Sequence, residues 1–257
     1  MNAPRLDVLI QPLVLRFSIQ EDEIAYHFAG SADMQLDRME HLMGIDPKET
    51  ALFDSNLGFL PISTAVLIRG ERTIVFDPGN HHTGFYGQLG MSLKRFGLGF
   101  EDIDMVVSSH CHHDHMASVK HFPGAELVMG EGELDFARSA YGRMTTEALI
   151  EHLNPTESVP LGGSLELMDG VTAVSTPGHT PGHISLLVDD ERGERVLLTG
   201  DAAMTRSEFE QGAFSHWYAG EQLDQVRASG ERMRELGATL VMPGHDRAFR
   251  PTPGGAG

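Results

Sequence analysis

Residues 109–115 read Ser109-His110-Cys111-His112-His113-Asp114-His115. The run follows Met105 to Ser108, an apolar segment of strand character, and opens a helical pattern from His115 to Phe122, so it is a short strand-to-helix loop. Borderline-soft divalent cations, zinc above all, take imidazole nitrogen and carboxylate oxygen. Alternation along the loop aims His110 and His112 at one ion and Asp114 and His115 at another. An isolated histidine is more often a satisfied surface or core group, and His27, His41, His121, His152 and His183 are read that way. Crowding inverts those odds here, since clustered imidazoles have few structural uses. Cys111, between two candidate ligands, reads as a small buried hydrophobe, and His113 as a packing residue.

Working outward, three further sites follow strand-like runs: Thr176-Pro177-Gly178-His179, Thr199-Gly200-Asp201 and Met242-Pro243-Gly244-His245. Each sets a donor just past a glycine, where the backbone can turn tightly and present it at one rim of a sheet. Other strand-like runs are Ala65 to Ile68, Thr73 to Phe76, Leu127 to Met129, Val171 to Ser175, Ile184 to Val188, Val196 to Thr199 and Thr239 to Met242. Helical patterns cover Gly84 to Phe96 and Glu221 to Leu236, the latter with Leu223, Val226, Met233 and Leu236 on one face. The mixture predicts a sheet-rich layered α/β domain over residues 1–250. An amphipathic segment, about 31–56, is expected as an inserted helix, and residues 251–257 as a disordered tail.

The chain carries 19 Lys and Arg against 37 Asp and Glu, a formal charge of -18. Such a charge repels phosphate backbones, so nucleic acid is not an expected partner. Bound divalent cations would offset part of it. One cysteine excludes an intrachain disulfide framework, no stretch is long enough for a membrane-spanning helix, and the N-terminal sequence lacks a signal pattern; a cytoplasmic monomer or homodimer is expected.

HCHHDH, TPGHTPGH, LLTGDA and PGHD, in this order, resemble the metal-binding motifs of the metallo-β-lactamase superfamily, especially its N-acyl homoserine lactonase-like branch. The resemblance covers roughly Ile62 to Asp246. It implies a four-layer αβ/βα sandwich with two metals at one edge. Carried over by position, His110, His112 and His179 hold one ion, Asp114, His115 and His245 the other, and Asp201 bridges them. It further implies a hydroxide shared by the metals as the attacking group, with Asp114 a candidate acid for the leaving group. Asp77, at a strand end, matches a supporting aspartate of the family. His81 and His82 stand where they can line the mouth, and Phe53, Phe59, Phe85, Trp217 and Tyr218 can supply an apolar wall.

Lactone or related carboxylic ester hydrolysis is the activity this resemblance implies, with an N-acyl homoserine lactone among the substrates. Thioesters, aryl esters and phosphotriesters are alternatives, as is a mononuclear iron thiol dioxygenase. The cofactor expectation is two divalent ions per chain, zinc first, with iron, cobalt and manganese fitting the same donors. Many homoserine lactonases carry a tyrosine three residues after the bridging aspartate. Here that residue is Met204, whose thioether cannot donate a hydrogen bond; either another group, Tyr218 or His216, substitutes for it, or the substrate is different.

Overall fold

The computed structural model describes residues 3–20, 23–30, 56–79, 88–215 and 218–252. In chain order the elements are β1 (Arg5–Ile10), β2 (Leu13–Gln20), β3 (Glu23–Gly30), β4 (Asn56–Ile62), β5 (Ala65–Arg69), β6 (Thr73–Phe76), α1 (Gln88–Lys94), β7 (Met105–Val107), α2 (His113–Met116), β8 (Glu126–Gly130), α3 (Glu133–Tyr141), α4 (Arg143–Ile150), β9 (Asn154–Val159), β10 (Ser164–Met168), β11 (Val171–Ser175), β12 (Ile184–Asp189), β13 (Arg195–Gly200), α5 (Arg206–Gln211), α6 (Gly220–Glu235) and β14 (Leu240–Pro243). They build a six-stranded sheet ordered β1-β5-β6-β7-β8-β9, a five-stranded sheet ordered β10-β11-β12-β13-β14, and a three-stranded antiparallel sheet ordered β3-β2-β4.

Side-chain alternation decides how the layers stack. Along β5, β6, β7 and β13 the residues Val66, Ile68, Ile74, Phe76, Met105, Val107, Val196 and Leu198 fall into one buried cluster, with Val171, Ala173, Ile184, Leu186 and Val188 of the second sheet. That cluster lies between the two larger sheets. The residues that alternate with them point the other way: Leu67, Val75 and Val106 pack with Leu89 and Leu93 of α1, Met116 of α2 and Ala137 of α3. Leu197 and Val241 likewise pack with Phe209 of α5 and Met233 of α6. The result is helix, sheet, sheet, helix, the four-layer αβ/βα sandwich. Sheets covered on both faces need apolar residues at every position, which is why these strands read as continuous apolar runs. Each fully buried aliphatic side chain contributes about 1.5–3 kcal/mol.

All the strand-like runs named from sequence are strands, with bounds shifted by a residue or so. The expected helix from His115 to Phe122 is broken into α2 and a 3₁₀ turn at Val119–His121. The Ser118 N–H goes to the Gly79 carbonyl at 3.0 Å, and the Asp114 carbonyl accepts from the Ser63 hydroxyl. The bond that would continue the helix is therefore spent on neighbouring loops. Helix α1 is described from Gln88, the expected start at Gly84 lying outside the described residues, and ends at Lys94, two residues short of the expected Phe96; Phe96 and Gly97 donate to Leu93 and Lys94 in tighter turns. The expected inserted helix lies outside the described residues except for Asn56, which starts β4. Thr252 bonds to Glu210, and residues 253–257 lie outside the described residues.

Strand direction places the candidate donors. β6 and β7 are parallel; β11 and β13, both antiparallel to β12 between them, run the same way, and β14 is parallel to β13. The C-terminal ends of each set therefore share an edge, and the loops with Asp77, His110–His115, His179, Asp201 and His245 all leave from such ends.

Candidate metal centre

Asp77 ends β6 at φ 44, the one non-glycine residue with positive φ among the described residues. Aspartate tolerates this left-handed region better than most residues. It turns the carboxylate under the ligand loop, where Oδ1 accepts the Ser109 N–H at 2.7 Å. Oδ2 accepts the Ser109 hydroxyl at 2.7 Å and Nδ1 of His115 at 2.8 Å. Burial raises the Asp77 carboxyl above the usual range, and the adjacent His115 opposes it. With Nδ1 donating to the carboxylate, Nε2 of His115 is left to face the centre.

Three imidazole nitrogens converge on one point. Nδ1 of His112 lies 2.9 Å from Nε2 of His110 and 2.9 Å from Nε2 of His179. The remote nitrogens are engaged: Nδ1 of His110 lies 3.0 Å from the Ser109 hydroxyl, and Nδ1 of His179 lies 2.6 Å from the Tyr218 hydroxyl. Burial depresses His110 and His112 and brings His179 to about 4, so protons do not hold the rings together. Neutral rings with lone pairs aimed at one another repel unless a cation stands among them.

Asp201 joins this group to a second one. Its Oδ2 lies 3.4 Å from Nε2 of His179 and 3.9 Å from Nε2 of His110. Its Oδ1 lies 3.2 Å from Nε2 of His115 and 3.4 Å from Nε2 of His245. Oδ2 of Asp114 is 3.4 Å from His115 Nε2 and 3.1 Å from His245 Nε2. Potential donor atoms thus form two sets, His110, His112, His179 and Asp201 in one, Asp114, His115 and His245 in the other, each lying within 4.8 Å of one another. Tetrahedral zinc with bonds of about 2.1 Å sets its ligands about 3.4 Å apart, close to the spacings here. Nε2 of His115 and Oδ1 of Asp201 are buried without a hydrogen bond. Orphaned buried polar atoms are costly, and a cation would satisfy both.

Two glycines allow this approach. A Cβ on Gly244 would lie 2.3 Å from Oδ1 of Asp201, and one on Gly200, at φ 53, would lie 2.6 Å from Ser109. The glycines before Asp201 and His245 are thus set by the carboxylate and by the ligand loop.

Other sequence expectations fall as follows. His113 is exposed and packs edge-on to Tyr141 at 4.9 Å, away from the cluster. Cys111 is buried in the core beneath the loop. Met204 is buried, and its N–H donates to Glu208. Tyr218 is buried, and its hydroxyl lies 2.6 Å from Nδ1 of His179. His82 and His216 lie outside the described residues. Sequence reasoning missed His183, taken only as a satisfied core group. Its Nε2 accepts the Asp201 N–H at 3.0 Å and its Nδ1 meets the Thr176 hydroxyl at 2.9 Å, so it positions the carboxylate from behind. The repeated Pro-Gly-His in 177–183 was the signal.

A family model described as the Metallo-beta-lactamase superfamily matches residues 57–245. The chain is 33% identical over 157 residues to an N-acyl homoserine lactonase from Bacillus sp., a match covering 60% of each protein. The match therefore spans less than two thirds of that relative. Among solved structures, a mutant of the Bacillus thuringiensis protein AiiA with N-decanoyl-L-homoserine bound at its active site superposes with a TM-score of 0.67 at 22% identity, covering 96% of this chain and 94% of the other. AidC, a dizinc quorum-quenching lactonase, superposes with a TM-score of 0.54 at 19% identity over 77% and 76% of the two chains. At these identities the superpositions establish the fold.

Proposed function

The chain belongs to the metallo-beta-lactamase superfamily, and from that premise we propose that it is a hydrolase that opens lactones or related carboxylic esters at a site for two divalent ions. The observation that carries the reading is Asp201, which turns one oxygen toward each of two donor sets. His110, His112 and His179 would hold one ion, and Asp114, His115 and His245 the other. Bound there, two divalent ions, zinc first, supply Lewis acidity and bring the pKa of water toward ~7.

The chain's own residues do the rest. Asp77 fixes the tautomer of His115, Tyr218 orients His179, and His183 holds the backbone of Asp201. Burial alone would raise Asp114, but His115 and His245 outweigh it and hold the carboxyl below the usual range. Its side chain remains 13% exposed against 5% for Asp201. Asp114 is thus the ionised group proposed to lie within reach of a departing alkoxide, and the oxygen of its carboxylate not committed to an ion would carry the proton. A lactone heads the substrate classes because the curated relatives are named N-acyl homoserine lactonases.

The test is a metal count on purified protein beside a panel of lactones, thioesters, aryl esters and phosphotriesters. Two transition-metal ions per chain and fastest turnover of a lactone are expected. One iron per chain with oxygen uptake on a persulfide would favour a thiol dioxygenase instead, and a chain that takes up no transition metal would overturn the reading.

A further inference from the structure

Glu133, the first residue of α3, is a carboxylate with no exposed surface. At a helix start such a group ordinarily turns back to cap its own N–H groups. Here both oxygens leave the helix. Oε1 accepts the Cys111 N–H at 2.9 Å, and Oε2 accepts the Gly182 N–H at 2.9 Å. Cys111 lies between His110 and His112, and Gly182 lies in the loop that carries His179. One buried side chain therefore holds two loops that are remote in sequence and contribute three of the converging imidazoles.

The surrounding backbone is cut to fit this bridge. A Cβ on Gly130 would sit 1.9 Å from the Gly182 carbonyl oxygen, and one on Gly182 would sit 2.7 Å from the Glu133 nitrogen. The turn between β8 and α3 and the His179 loop meet backbone to backbone, which brings the carboxylate within reach of both N–H groups. The chemistry demands an acid, because only a carboxylate presents acceptors alone at both ends. A glutamine would accept one N–H and turn its own NH₂ against the other. Asp77 grips the ligand loop at Ser109 and His115, and Glu133 grips it between them, so the loop is fixed on two sides.

We propose that Glu133 is a positioning residue, a buried strap that sets the distance between the His110–His112 loop and the His179 loop. The proposal rests on the metal reading of those histidines. Its test is Glu133→Gln, compared with the unaltered protein for zinc affinity, by competition with a chromophoric chelator, and for the visible absorption of the cobalt-loaded form. Residues that support metal ligands typically change affinity by about 10- to 100-fold when replaced, and that loss with a shifted cobalt spectrum is expected. A lower melting temperature with unchanged affinity and spectrum would reduce Glu133 to core packing and overturn the proposal.

Amide hydrogen exchange separates this outcome from failure of the metal reading. Even if the chain takes up no metal, Cys111 and Gly182 amides of the unaltered protein should exchange as slowly as those of β7 and β12, and both should accelerate in Glu133→Gln. Exchange at exposed-loop rates in the unaltered protein would overturn the strap whether or not the variant folds.

Discussion

At the scale of the residue, Asp201 is the most exposed to test. Asp201→Asn keeps the volume but replaces one oxygen by an NH₂ group that faces imidazole nitrogen. Loss of metal from at least one set and a fall in kcat/KM of at least about 100-fold are expected, on the scale seen when one essential polar group is removed; a variant with full metal content and unchanged kcat/KM removes Asp201 from the shared position. Protonation gives a second prediction. In the metal-free protein, burial alone would lower His115 and His245, but Asp201 and Asp114 outweigh it, raising His115 well above its usual value and His245 to about 10. Both rings are thereby held toward the charged form in the metal-free protein, and metal uptake would have to expel those protons. Zinc affinity should therefore climb as pH rises toward about 10. The charged rings stabilise the metal-free fold fully below their unfolded value of about 6.5 and lose that contribution as pH rises through the folded values. Calorimetric titration in buffers of different ionisation heat reads the released protons, and heats independent of buffer would contradict the assignment.

At the scale of the element, the strands that sequence revealed all belong to the two larger sheets, and all but β14 lie inside them, while β1 to β4 went unread. β6, β7 and β13 are apolar on both faces, so composition alone marks them. β9 and β10 went unread because they lie at sheet edges; β9 carries Pro155, which an edge strand tolerates, and the two outward positions of β10, Ser164 and Glu166, are exposed polar residues. The four dense donor motifs were legible for a similar reason, being short and local. His183 and Glu133 were not, since each acts through a backbone N–H of a distant loop, and nothing in sequence says which N–H a buried polar side chain will reach. The packing of helices on the first sheet is testable at Phe122, which is fully buried and meets Phe100 edge-on at 5.3 Å. Phe122→Ala should cost about 3–5 kcal/mol in denaturant unfolding; a loss under about 1 kcal/mol would mean that this layer is loosely packed.

At the scale of the whole molecule, the formal charge of -18 and the buried donors act together. Stripping metal leaves Asp201 and its histidines without their cations and adds to the self-repulsion of an acidic chain. A chelator should lower the melting temperature by several degrees and abolish turnover, with zinc restoring both; an unchanged melting curve would exclude metal from this cluster. The two sheets divide the donors between them. The loop after β7 carries His110, His112, Asp114 and His115, while the loops after β11, β13 and β14 carry His179, Asp201 and His245. Neither sheet carries a complete donor set, and the last donor in the chain, His245, follows β14, the last of the described strands. A chain cut before β14 keeps all four donors of the first set and loses only His245 of the second, so on the proposed reading it would hold one ion firmly and the other poorly.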